Sequence, residues 1–291
     1  MSRLSTLAHV SWADPAAPAL AADATVALEA GSVLFLPNLR FQVDRDEQAI
    51  FSPAILASSK NTSFDPVTGH VGGTSLAGDE QAHLARLMAR FSDSAHTLIN
   101  GLFPRYRDHL FRARASFRPA EIEGRQTTWR KDDTRLHIDS FPASPVQGRR
   151  ILRVFSNVNP LGRPRSWRIG EDFAKVAARF APALSPPFPW QAALLKLLHI
   201  TKSLRTPYDG LMLQLHDRMK ADTSFQSTCE QERVDFPSGS TWIAFTDAVS
   251  HAAMAGQFQF EQTFLLPVGA MIDESRSPLR ILETLKGRPL A

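Results

Sequence analysis

With 291 residues, 43% hydrophobic and 21% charged, the chain has the ordinary balance of a globular protein able to bury a sizeable core. One cysteine, Cys229, excludes an internal disulfide framework and a cysteine-ligated zinc site, and no apolar run approaches a bilayer span of about 20 residues. Net charge is only +4, yet residues 105–168 hold 15 Lys and Arg against 6 Asp and Glu, which suggests an anionic partner or, more plainly, a solvated basic face.

The N-terminal stretch Met1-Ser2-Arg3 leads into no continuous apolar segment before Asp14, so no secretory signal is read and a cytoplasmic protein is expected. Residues 25–41 predict a strand over 25–28, a turn at Gly31 and a second strand over 33–36, closed by Pro37. Residues 53–78 read as loop. From 78 to about 103, Leu84, Leu87, Met88, Phe91, His96 and Leu98 recur at helical spacing, predicting an amphipathic helix that ends before Pro104. Short strands are expected at 112–117 and 135–141, then a β-rich run at 150–159 stopped by Pro160. Residues 171–220 look helical, broken at Pro182 and at the PPFP sequence of 186–189. Strands return at 233–236, 241–245 and 258–266, and a helical turn or two is expected around 279–285. No repeat or low-complexity tract interrupts this order.

These elements predict an α+β fold, a double-stranded β-helix (jelly-roll or cupin-like barrel) buttressed by helices, with a helical insertion around 171–220. The expected organisation is one domain over 1–291, its N-terminal strands and helix (about 25–103) packing on a jelly-roll core of about 112–267.

His137 and Asp139 stand two residues apart, so on an extended chain both side chains leave the same face. His251 follows 114 residues later, after the expected strand at 241–245. Two imidazoles and one carboxylate suit iron(II) and leave adjacent positions free for a bidentate co-substrate and dioxygen. A short His-x-Asp also arises by chance, and a lone histidine is more often a hydrogen-bonded structural residue. The pattern alone leaves both open. The other histidines lack comparable spacing, and His216-Asp217 looks like helix surface.

The segments WRKDDTRLHIDSFP (129–142) and GRRILRVFSNVNP (148–160) resemble the Kdo 3-hydroxylases, bacterial iron/2-oxoglutarate oxygenases of the lipopolysaccharide pathway. KNTSFDPVTG (60–69), FTDAVSHAA (245–253) and SPLRILE (277–283) are similar too, so the resemblance runs from about residue 25 to the end. It implies hydroxylation at C3 of a 3-deoxy-D-manno-oct-2-ulosonic acid (Kdo) residue on Kdo-lipid A. The implied cofactors are iron(II), 2-oxoglutarate as co-substrate, O2, and ascorbate as reductant. The implied metal ligands are His137, Asp139 and His251.

Many oxygenases of this superfamily anchor the far carboxylate of 2-oxoglutarate with a basic residue some ten positions after the second histidine. Here the next basic residue after His251 is Arg276, so the anchor must come from elsewhere. Arg153 is the candidate: its odd-numbered face lies among apolar neighbours, where a guanidinium needs an anion. The alternatives are an Arg153 paired with Asp139, Glu261 or another acid inside the fold, and an anchor at Arg149, Arg150 or Arg135 instead. Asn157 and Thr263 are candidates to complete the co-substrate's hydrogen bonds. For an anionic glycolipid substrate the candidates are Trp129, Arg130, Lys131, Arg135, Arg149, Arg150, Arg163, Arg165 and Arg168, with Trp167 as a sugar-face, interfacial or core aromatic.

The same basic residues would allow peripheral contact with an anionic inner-membrane face. No nucleic-acid motif is present, and none is expected as a partner. Two competitors remain: an oxygenase for a different anionic substrate, and a non-catalytic cupin-like protein that binds lipopolysaccharide precursors.

Overall fold

The computed structural model describes residues 3–57, 60–186 and 188–291. Met1 and Ser2 of the N-terminal stretch, 58 and 59 of the expected loop and Pro187 of the expected proline break lie outside the described residues.

The short strand β1 (Leu4–Thr6) leads to helix α1 (Pro18–Glu29), which corrects the strand expected at 25–28. Proline in its first turn presets the helical φ, and Ala21, Ala24, Thr25 and Leu28 share a buried face at helical spacing. The β-branched Thr25 suggested a strand, but its hydroxyl donates to the Ala21 carbonyl (2.7 Å) within the helix. Strand β2 (Val33–Leu36) forms as expected and is followed by the short helix α2 (Arg45–Gln48). The expected loop carries two small strands, β3 (Thr62–Phe64) and β4 (Val71–Gly72). Helix α3 (Gly78–Leu102) buries the predicted apolar stripe.

Strands β5 (Phe111–Arg118), β6 (Arg150–Asn157) and β7 (Arg165–Ile169) come next. The helical insertion holds α4 (Phe173–Phe180), α5 (Pro189–Leu197), α6 (Pro207–Ala221) and α7 (Thr223–Thr228). Strands β8 (Glu232–Phe236), β9 (Thr241–Phe245), β10 (His251–Ala255) and β11 (Gln259–Leu266) precede the C-terminal helix α8 (Pro278–Lys286). The insertion therefore connects β7 to β8, which pair antiparallel.

Eight strands form one sheet in the order β1-β2-β9-β6-β11-β5-β3-β4, and β10-β7-β8 form a second. Helix α3 packs on the large sheet through β5 and β11. Between the sheets, Phe155 of β6 and Trp242 of β9 meet Trp167 of β7 and Phe236 of β8. The Phe236 and Trp242 rings lie parallel with centroids 4.1 Å apart. Each such ring contributes about 1.5–3 kcal/mol by leaving water, which holds the two sheets face to face.

The strand expected at 135–141 is absent. That segment lies between the Asp133–Thr134 turn and Pro142 and finds a strand partner only locally, where His137 bridges His251. Strands β7 and β10 were not expected, and His251 opens β10 rather than merely following a strand. No helix among the described residues is long and apolar enough to cross a membrane.

Candidate metal centre

Leu136 and Ile138 are fully buried in the core, so the extended backbone turns the intervening His137 and the following Asp139 to the opposite side. Reciprocal backbone bonds fix the pair of histidines: His137 N–H donates to His251 O (3.0 Å) and His251 N–H donates to His137 O (2.8 Å). Asp139 N–H donates to Thr246 O at 2.8 Å. One ligand atom from each of His137, Asp139 and His251 lies within 4.8 Å of the other two.

Each imidazole is oriented through its inner nitrogen. His137 Nδ1 lies 2.7 Å from Arg135 O, and His251 Nδ1 lies 2.8 Å from Val249 O. With Nδ1–H donating to a carbonyl, the lone pair resides on Nε2 and faces the cluster. Burial lowers the pKa of both rings, and for His137 the neighbouring His251 adds to it. Neutral imidazole is the form a metal needs. Burial opposes ionisation of Asp139, but Arg153 beside it holds the carboxyl well below the usual range. Asp139 Oδ2 is buried and meets the Arg153 guanidinium as an ion pair without hydrogen-bond geometry. Two free Nε2 atoms and a carboxylate fit the facial triad of a non-haem iron(II) centre.

The walls of the site are aromatic. Trp167 stacks on His251 (5.0 Å, 24°), and His216 of α6 meets His137 edge-on (5.4 Å, 83°). His216 was read as helix surface; the insertion instead folds its ring against the cluster, with Nδ1 3.0 Å from Asp217 Oδ1.

Around Asp139 and Glu261 lie three guanidiniums. Arg153 Nη1 is 3.1 Å from Asp139 Oδ2 and 3.2 Å from Glu261 Oε1, so in this structure it pairs with acids of the fold. Arg118 Nε donates to Glu261 Oε2 at 3.0 Å. Arg165, only 3% exposed, donates through Nη1 to Gly256 O (2.6 Å); burial and the nearby Arg118 push its pKa down to about 9. The Nε atoms of Arg153 and Arg165 and the Trp167 Nε1 are buried donors without a partner. Such donors are costly unless an acceptor arrives.

A cavity of about 790 Å3 opens next to this group, lined by Arg114, Arg149, Arg153, Lys202, Glu261 and Thr263, among others. Thr263 faces Arg153 across the β6–β11 pair.

Gly256 sits at φ +107°, and a Cβ there would stand 2.9 Å from Pro164 O and 3.1 Å from Arg165 Cα. Gly256→Ala is expected to cost about 1–3 kcal/mol through strain and to displace Arg165. Urea unfolding of the variant checks the first effect, and co-substrate titration checks the second.

Several expected substrate residues are engaged elsewhere. Arg150, 1% exposed, pairs with buried Asp247 (2.7 Å) and cannot meet a substrate from there. Arg168 reaches Gln231 Oε1 (2.9 Å) and Thr134 O (2.6 Å), and Arg135 pairs with Asp132 (3.2 Å) and donates to Lys220 O (2.8 Å). Both amide hydrogens of Asn157, expected at the co-substrate, go to Arg163 O and Phe236 O at 3.0 Å, which makes it a loop brace. Trp129, Arg130 and Lys131 form a 3-10 turn; Arg130 covers the Trp129 ring (4.1 Å) and pairs with Asp217 (3.2 Å). Arg163 is exposed. The basic segment is thus largely paired within the fold rather than spread as a solvated face.

Sequence reasoning did not pick out Arg118 or the role of His216. Arg114, Ser116 and Arg118 share one face of β5 while Ala115 and Phe117 are buried on the other, a period-two signal that could have been read. For His216 there was no local signal.

A family model described as 3-deoxy-D-manno-oct-2-ulosonic acid (Kdo) hydroxylase matches residues 11–289. Among solved structures, the chain is similar to the Kdo hydroxylase KdoO, a non-haem Fe(II) α-ketoglutarate-dependent dioxygenase, in complex with α-ketoglutarate and Fe(III) (44% identity, 99% of this chain and 97% of that chain covered, TM-score 0.96). It is equally similar to the cobalt(II) complex of KdoO (45% identity, 99% and 97% covered, TM-score 0.97). The succinate and Fe(III) complex also matches (44% identity, 99% and 97% covered, TM-score 0.96). A comparison with curated protein sequences gives no match.

Proposed function

The chain belongs to the Kdo hydroxylase family, and from that footing we propose that it hydroxylates C3 of a Kdo residue on Kdo-lipid A as an iron(II)/2-oxoglutarate-dependent dioxygenase. The observation that carries this reading is the cluster of two Nε2-presenting histidines and one carboxylate beside buried, under-satisfied arginines. In it, His137, Asp139 and His251 would hold the iron, their ligand atoms lying within 4.8 Å of one another. Bound iron(II) with 2-oxoglutarate and O2 supplies the oxidising power that replaces C–H by C–OH, with succinate and CO2 as co-products.

The protein's part is positioning and water exclusion. Arg153, Arg118 and Arg165 receive the carboxylates of 2-oxoglutarate, which answers the unpaired Nε donors. Trp167 and His216 hold the imidazole planes and cover the centre. The cavity takes the sugar, and Arg114, Arg149 and Lys202 at its lining meet carboxylate and phosphate. Ascorbate keeps the iron reduced, and the enzyme works in the cytoplasm at the face of the inner membrane.

Iron-dependent succinate release that rises with Kdo-lipid A, and not with lipid A lacking Kdo, is the expected test result. Release indifferent to the acceptor would favour a different anionic substrate.

Arg153→Ala should raise the apparent Kd for 2-oxoglutarate roughly 30-fold or more, since losing one partner of a buried charge pair costs about 2–5 kcal/mol. Arg153→Lys should recover only part of this, because an ammonium lacks the planar fork. Calorimetric titration of the cobalt(II)-loaded variants measures it. Parent-like affinity in Arg153→Ala would shift the anchor to Arg118 or Arg165.

A further inference from the structure

Of the fourteen large hydrophobic residues exposed among the described residues, seven fall between Phe188 and Leu204. Trp190, Leu194, Leu197 and Leu198 follow the i, i+4, i+7, i+8 spacing of one helical face, exposed by 61%, 42%, 74% and 58%. Phe188 stacks parallel to Trp190 (6.4 Å, 12°), and Ile200 and Leu204 extend the patch past the end of α5. An apolar helix left uncovered in this way marks an interaction surface.

Charge selects the partner. From residue 173 to residue 208 there is no Asp or Glu, while Lys175, Arg179, Lys196, Lys202 and Arg205 are all present. A cavity of about 670 Å3 beside α5 joins the apolar Phe188 and Ala192 to the cations Arg205, Lys286 and Arg288. Apolar side chains interleaved with cations, with no acid, match the acyl boundary and headgroups of an anionic bilayer.

The patch also has a fixed relation to the active-site cavity. Lys202 N–H donates to Ala143 O (2.9 Å), Arg205 Nη2 to Pro142 O (2.8 Å) and Gln147 Nε2 to Leu204 O (3.1 Å). Pro142, Ala143, Lys202 and Ser203 line that cavity.

We propose that α5 and the segment to Leu204 insert into the surface of an anionic phospholipid bilayer and hold the cavity mouth against it. A lipid-linked sugar then enters without its acyl chains leaving the membrane. The docking stands on α5 itself; its use in catalysis rests on the Kdo hydroxylase reading.

The test is flotation of the full chain with vesicles of phosphatidylcholine and phosphatidylglycerol, beside the triple variant Leu194→Gln/Leu197→Gln/Leu198→Gln. These side chains are exposed, so the fold is retained, which circular dichroism verifies. The parent should co-float, keep most of its binding in high salt, and lose at least about tenfold in the variant. Brominated lipids should quench parent fluorescence and lose that effect in Trp190→Phe.

Turnover of a water-soluble Kdo compound should be equal in parent and triple variant, with turnover of vesicle-embedded substrate reduced in the variant. Flotation decides the docking even if no Kdo compound is turned over, so the two readings fail separately. Equal flotation of parent and variant, or a parent that ignores these vesicles, overturns the proposal. A parent dimer that the variant converts to monomer would likewise overturn it and assign the patch to a second copy of the chain.

Discussion

Replacing His251 with alanine is expected to weaken metal binding by on the order of 100-fold or more, beyond the 10–100-fold typical of losing a supporting partner, and to end turnover. The ring is 5% exposed, presents Nε2 to the cluster and has its other nitrogen tied to Val249 O (2.8 Å). The remaining His137 and Asp139 form an incomplete chelate. The fold should survive, because the backbone bonds between His137 and His251 do not need the imidazole; the lost stacking on Trp167 costs about 1–3 kcal/mol. Cobalt(II) titration and urea unfolding separate the two effects. His216→Ala, whose ring touches His137 without joining the cluster, should keep the metal. Metal retained in His251→Ala would remove His251 from the ligand set.

The second large effect is on stability and comes from a residue first read as a substrate contact. Arg150 Nε and Nη2 grip Asp247 at 2.7 and 3.3 Å, and its guanidinium lies 3.9 Å over the Phe245 ring. Both partners are essentially without solvent, at 1% and 0% exposure. Arg150→Ala should destabilise by about 3–5 kcal/mol at neutral pH, because it strands a buried carboxylate.

The pH dependence has a definite sign. Burial already raises the Asp247 pKa with Arg150 present, and removing the cation raises it further. A carboxyl raised in the folded state costs stability above its folded pKa and none below its unfolded pKa of about 3.9. The deficit of Arg150→Ala should therefore shrink as the pH falls from neutral toward 4, about where the unfolded carboxyl titrates. The double variant Arg150→Met/Asp247→Leu should regain most of the loss, since no charge is left stranded. Urea unfolding at two pH values reads all three. A deficit that grows in acid would show that Asp247 is not the stranded group.

What could be read from the sequence follows from how local the cause was. The His137, Asp139 pair was legible because two residues on an extended segment share a face whether or not a ladder forms around them. Helix α3 was legible from its stripe, β9 from the apolar run Trp242–Phe245, and β11 from its aromatic and aliphatic residues ending at Pro267. Strand β7 was hidden because Arg165, Ser166 and Arg168 look like a solvated loop, yet the first two are buried. Strand β10, His-Ala-Ala-Met-Ala, has almost no β propensity and exists because it pairs with β7.

The arginines of residues 105–168 show the limit of composition. Their number suggested an anion, but which ones meet acids of the fold, as Arg150 and Arg118 do, is decided by strand register. The position of His216 against His137 depends on how a whole helical insertion folds back, which no local pattern encodes.

The most direct measurement is mass spectrometry of Kdo-lipid A after incubation with the enzyme, iron(II), 2-oxoglutarate and 18O-labelled dioxygen. The expected product gains one labelled oxygen on the Kdo residue, at C3, with one succinate formed per product, and chelation of the iron abolishes both. Succinate formed with no oxygen gained by the sugar, or oxygen gained without iron, would contradict the assignment of this chain as a Kdo hydroxylase.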